Sequence, residues 1–200
     1  MLVGPFEGDS VANDPPAIDR TTRLIHERQE VFMITGPAAR LTIVEPGGPD
    51  DVMVPGLTAT TRLTAGATGS IAIVEHVFSP GVLVPPHRHT SEDEISYVVE
   101  GEIGFRSDGR EVSLRSGGYI VKPRGELHSM WNAGDGPARM IEIISPSGFE
   151  NYFVELAAAV AAAGRLPDPD IRMALAARYG LTFDLSEVPD LVARHGLTPR

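Results

Sequence analysis

The chain has 200 residues, 42% of them hydrophobic, a formal net charge of -10 and no cysteine. The acidic balance disfavours nucleic acid and anionic membranes as partners, because binding a polyanion needs a basic face. The lack of cysteine removes disulfides, thiolate metal sites and a cysteine nucleophile, and fits a cytoplasmic location.

Residues 1–29 are rich in Pro, Gly, Asp and Asn and show little hydrophobic periodicity. They are expected to form an N-terminal arm. The opening MLVGPFEGDSVANDPP lacks a basic start followed by an apolar run, so no signal peptide is expected. No apolar run is long enough to span a membrane; LAAAVAAAG is too short and too alanine-rich.

From 30 to 146 the pattern is β. VFMIT, RLTIVE, IAIVEHVF, EISYVVEG, EIGFRS, EVSLR, YIVKP and ARMIEIIS are short, β-branched and often alternating. PGGPDD, SPG, SDGR and AGDGP punctuate them as turns. Many short strands with no helices between them predict an all-β sandwich or barrel.

From 147 to 200 a helical period takes over. SGFE at 147–150 has the form of a capping box, with Ser147 as cap and Glu150 reaching back. Phe153, Leu156, Ala157, Val160 and Ala161 then share one face, and Gly164 can end the helix. Asp168-Pro169 starts a second helix that runs to about Gly180, and Ser186 starts a third that runs to about Gly196. These helices are too short to stand alone. The extension is expected to pack on the outside of the β unit, with Asp168, Asp170 and Arg172 as caps and solvent-facing charges, and to carry no catalytic group.

His87 and His89 stand one residue apart in GVLVPPHRHTSEDEISYVVEGE. On a strand, side chains at i and i+2 point the same way, so both project from one face. Two readings fit this pair: a metal-binding couple, or two surface histidines in a polar loop. Glu94 follows a polar turn, and His128 follows a turn that contains Pro123 and Gly125. Brought together by neighbouring strands, these would make a site of three histidines and one carboxylate.

The full spacing distinguishes the two. Gly81, His87, His89, Glu94 and Gly101, and then Gly117, Pro123, Gly125, His128 and Asn132, stand at the intervals of two paired motifs. In these positions the chain resembles the cupin superfamily, as a small single-domain member. With roughly one chance in twenty per position, so many matches do not arise by coincidence. The tail that begins GFENYFVELA extends the resemblance to the quercetin-dioxygenase-like cupins. The resemblance implies a double-stranded β-helix, or jelly-roll barrel, over 30–146 with a C-terminal helical extension. It implies one divalent transition metal (Fe, Mn, Ni, Cu or Zn) held by His87, His89, Glu94 and His128. It also implies a homodimer.

Strand alternation nominates further residues. His76, on the strand before Gly81, is a candidate for the pocket wall. So are Ser96 and Val98, which share the face of Glu94, and Met130, which shares the face of His128. Trp131 is expected to point the other way, into a packing or dimer surface, and His26 and His195 are expected to be solvated. The expected chemistry is oxidoreduction of a dioxygenase-like kind on a small oxygenated organic substrate, with Glu94 doubling as a base. The alternatives are a metal-dependent isomerase or lyase, and a small-molecule-binding protein with no reaction. A pocket with apolar walls would favour an aromatic or polyketide-like substrate; one lined with Arg and Lys, a phosphorylated or carboxylated one.

Overall fold

The computed structural model describes residues 41–45, 52–54 and 56–199. The expected arm at 1–29, the VFMIT segment and His26 lie outside the described residues. The elements in chain order are β1 (Val52–Val54), β2 (Leu57–Leu63), α1 (Ala65–Thr68), β3 (Ala72–Phe78), β4 (Val82–His89), β5 (Asp93–Glu100) and β6 (Glu102–Ser107). Then follow β7 (Arg110–Arg115), β8 (Tyr119–Lys122), β9 (His128–Asn132), β10 (Ala138–Ser145), α2 (Glu150–Ala163), α3 (Pro169–Arg178), β11 (Leu181–Phe183), α4 (Val188–His195) and β12 (Thr198–Pro199).

The strands form two sheets of a jelly roll. One has the order β1-β2-β3-β10-β5-β8; the other has the order β11-β4-β9-β6-β7, with β12 added in parallel to β4. Alternation decides which side chains face inward. On β5 these are Glu94, Ser96 and Val98, and on β10 they are Ala138, Met140, Glu142 and Ile144. Phe78, Val98, Ile103, Phe105, Met130 and Met140 fill the end of the sandwich farther from Glu94. At the other end Ala72, Val74 and Ile144 join Phe149, Tyr152 and Leu156 of the α2 region.

Residues named by the two motifs hold turns in place. Asn132 donates through Nδ2 to the carbonyls of Phe78 and Gly136, and its Oδ1 accepts from Gly134 N–H. Gly125 N–H donates to the His89 carbonyl at 2.7 Å and ties the Pro123–Gly125 turn to the histidine strand. Gly101 has φ +77°, and a Cβ there would lie 2.8 Å from the backbone of Ala138 and Pro137, so only glycine fits.

Three local expectations need correction. RLTIVE was expected to be a strand, but 41–45 have no regular structure, and Leu41 and Ile43 are exposed. β-branching alone does not make a strand, because strand propensity depends on context. The capping box is incomplete: Glu150 accepts from Gly148 N–H, and Phe149, not Ser147, occupies the cap position. The helical tail is also interrupted by β11, which pairs with the histidine strand β4. Trp131 does point away from the interior. It is buried with Leu83, Leu191 and Leu197 beneath α4. His195 is exposed, as expected, with its ring tilted beside Trp131 at 4.8 Å and its Nε2 3.2 Å from Glu111 Oε2.

Candidate metal centre

Sheet register brings four distant side chains together. His87 and His89 leave the same face of β4, while Arg88 between them is exposed. His128 lies directly opposite His87 across the β4–β9 pair, and their ring centroids are 4.4 Å apart. Glu94 reaches in from the facing sheet: its Oε1 lies 3.4 Å from His89 Nε2 and its Oε2 lies 3.4 Å from His128 Nε2. One ligand atom from each of the four residues lies within 4.8 Å of the others, and all four residues are buried.

Two of the imidazoles have fixed roles. A carbonyl can only accept, so His87 Nδ1 donates to Pro85 O at 2.8 Å and His128 Nδ1 donates to Glu126 O at 3.0 Å. That leaves each Nε2 with a free lone pair, as the outer hydrogen bonds of metal-binding histidines do. Burial, reinforced by His128 and His89, holds His87 well below its ordinary value. Burial lowers His89 to about 4, although Glu94 opposes it. Both are therefore neutral near pH 7, the form a ligand must have.

Glu94 carries the opposite charge. Burial pushes its carboxyl up, but Lys122, His89 and His128 outweigh burial and hold it well below the usual range. Lys122 sits directly opposite Glu94 across the β5–β8 pair. Its Nζ lies 3.0 Å from Glu94 Oε2 and donates to Glu142 Oε2 at 2.7 Å. Ser96 Oγ donates to Glu142 at 3.0 Å. Among the described residues, His89 Nε2 and His128 Nε2 are buried without hydrogen-bond partners, beside Glu94, whose Oε2 faces Lys122. Orphaned acceptors converging on one buried point are costly unless a cation binds there. The donor set therefore fits a metal ion, and this cluster can hold one.

The cluster opens into a cavity of about 500 Å³, within the range of small-molecule sites. The other nominated residues divide. His76 and Met130 line this cavity. Ser96 and Val98 do not reach it, because the Ser96 hydroxyl is engaged by Glu142 and Val98 is packed into the far core. His76 is buried, lies 5.6 Å from the Phe153 ring, and is lowered to about 4 by burial and by Lys122.

The helical tail is not confined to the outside. Phe149, Tyr152, Phe153 and Leu156 line the cavity, as do Arg172, Leu181 and Phe183. The Phe149 ring stands edge-on to His89 at 4.3 Å, and Phe183 lies 5.8 Å from His87. Sequence reasoning missed these residues, and it missed Lys122 and Glu142. Two signals were available: Lys122 alternates inward with Ile120, and Glu142 falls between inward Met140 and Ile144. A charge on a core face needs a partner.

Residues 74–144 match the family model described as a cupin domain. The chain is 36% identical over 87 residues to the tetracenomycin polyketide synthase protein TcmJ of Streptomyces glaucescens, covering 43% of this chain and 57% of that one. It thus spans little more than half the length of that relative. It is 28% identical over 162 residues to germin-like protein 5-1 of Oryza sativa subsp. japonica, covering 70% of this chain and 71% of that one. The structure of KdgF from Halomonas sp. superposes with a TM-score of 0.48 at 23% identity, covering 52% of this chain and 91% of that one.

The depressed histidines predict how the metal-free protein responds to acid. His76 and His89 have folded values of about 4 against about 6.5 when unfolded. Between these limits the unfolded chain binds protons that the folded chain does not, so stability falls as pH falls through that window. The melting midpoint of metal-free protein is expected to drop steadily from about pH 6.5 to about pH 4. Replacing His76 with leucine is expected to flatten part of that slope. A midpoint constant across the window would contradict the burial of neutral imidazoles.

Proposed function

Because this chain belongs to the cupin superfamily, we propose that it is a metal-dependent oxidoreductase, dioxygenase-like, that acts on a small oxygenated organic molecule. The observation that carries this is the opening of a three-histidine, one-carboxylate cluster into a cavity with mainly apolar, aromatic walls. One divalent transition metal bound by His87, His89, Glu94 and His128 would supply Lewis-acid activation and, if redox-active, electron transfer to dioxygen. The rest falls to the protein. Phe149, Phe153 and Phe183 exclude water from the cluster and offer ring faces to an aromatic or polyketide-like body. The name of the Streptomyces relative is in keeping with such a substrate.

Glu94 serves in this reading both as ligand and as the group that takes a proton from the substrate. The Lys122 ion pair favours the first role, since a carboxylate held well below its ordinary value is a weak base. His76 stays neutral at the cavity wall with Nδ1 free, so it can hold or orient a substrate hydroxyl.

We also propose a cytoplasmic homodimer. Ile73, Ile143, Ile95 and Val121 stand in one row across four strands of the first sheet. Val121 on that row and Tyr119 beside it are exposed, and an apolar row on an open sheet face suits a second copy. Sedimentation at micromolar concentration is expected to give twice the chain mass; a mass of one chain would remove the dimer.

The reaction is tested by oxygen uptake with flavonol and other phenolic substrates on metal-loaded protein, repeated under anaerobic conditions. Uptake that depends on substrate, and that is largely lost in Glu94→Gln, is expected. Undiminished turnover without dioxygen would replace oxidation with isomerase or lyase chemistry at the same cluster. Saturable binding with no turnover in either atmosphere would leave a binding protein.

A further inference from the structure

α3 turns Pro169, Arg172 and Met173 toward the cavity, and Ala176, on the same face, is fully buried in the cluster beneath. These positions are i, i+3, i+4 and i+7, a single helix face. Three of the four are apolar. A guanidinium among them is out of pattern, because arginine is rarely turned to an apolar surface without a partner. Most described arginines have one: Arg62, Arg106, Arg124 and Arg194 each hydrogen-bond a carboxylate. Arg172 has no carboxylate partner among the described residues, and its Nε is buried with nothing to donate to. Burial raises the Tyr152 phenol on the same cavity wall, and the charge of Arg172 works against it, so the two groups share one part of the cavity.

We propose that Arg172 anchors the ligand of this cavity, and that the ligand is an apolar molecule of aromatic-ring size bearing a carboxylate. A guanidinium presents a planar fork that matches a carboxylate in two parallel hydrogen bonds. A dianionic phosphate would call for several donors, and the surrounding wall offers Tyr152, Leu166, Pro169 and Met173. In an acidic chain of net charge -10, an unpaired cation facing an apolar cavity gives an anionic ligand one defined place to dock. Arg172 would thereby fix which end of the molecule faces the cluster. It is a binding residue supplied by the C-terminal extension and not by the sandwich. The assignment deepens the function proposed above and rests on the same cavity being the substrate site.

The test is binding to full-length, metal-free protein, because a bound cation would also attract a carboxylate. 2-Naphthoate and 2-naphthamide share one apolar body and differ in charge; each is titrated by calorimetry. Wild-type protein is expected to prefer the naphthoate by on the order of tenfold. Arg172→Gln is expected to abolish the preference by weakening naphthoate alone, with naphthamide affinity unchanged. Arg172→Lys is expected to keep part of it. Arg172→Met provides a second neutral variant, and melting midpoints establish that each variant is folded. Equal affinity of wild type for the two probes, no saturable naphthoate binding, or an unchanged preference in both neutral variants overturns the proposal. The two readings fail separately. Absence of oxygen uptake in the wild type does not remove its naphthoate preference, and equal affinity of the wild type for the two probes does not remove substrate-dependent oxygen uptake.

Discussion

The site depends on a lysine buried between two carboxylates. Lys122 has almost no exposed surface and holds Glu94 on one side and Glu142 on the other. Burying a charge is tolerable only when it is paired, and removing one partner of such a group typically destabilises a protein by about 3–5 kcal/mol. Two carboxylates share one ammonium, so negative charge is in excess whenever both are ionised. Burial and the nearby Glu94 raise the Glu142 carboxyl, with Lys122 opposing them. Beside this excess stand neutral imidazoles with free lone pairs. A cation among them satisfies both demands at once. The same network keeps Glu94 ionised and therefore ready to ligate.

Register converts this chemistry into geometry. Glu94 faces Lys122, Ser96 faces Glu142 and His87 faces His128 as direct cross-strand partners. A slip of one residue would turn each of these side chains to the opposite face. The turns that fix register are held by residues without any chemical role in the cluster. Asn132 locks the 133–136 turn, and Gly125 N–H binds the His89 carbonyl. The spacing of glycine, proline and asparagine around the histidines is a requirement of strand pairing as much as of ligation.

Much of this was legible in the sequence, and the remainder was not for physical reasons. Period-two alternation on short β-branched runs located most strands of the sandwich, and it put His87 with His89 on one face. RLTIVE carried the same local signal yet is not a strand, since composition does not reveal whether a pairing edge is available. Lys122 and Glu142 each look like one charge on an amphipathic strand. Their meaning appears only when β5 brings them together between β8 and β10. The helical tail showed its apolar stripe, but a stripe does not say what it covers. Phe149 and Phe153 turn out to close the cavity against His89 and His76, and Arg172 was hidden because helix periodicity marks apolar positions and not the polar one among them.

The central claim is that these four side chains form one metal site. Elemental analysis of protein purified without an affinity tag tests it most directly. One equivalent of a divalent transition metal per chain is predicted for the wild type, and none for a folded variant that combines His87→Ala with His89→Ala. A wild-type protein without stoichiometric metal after incubation with these ions, or a double variant that keeps a full equivalent, would contradict the assignment.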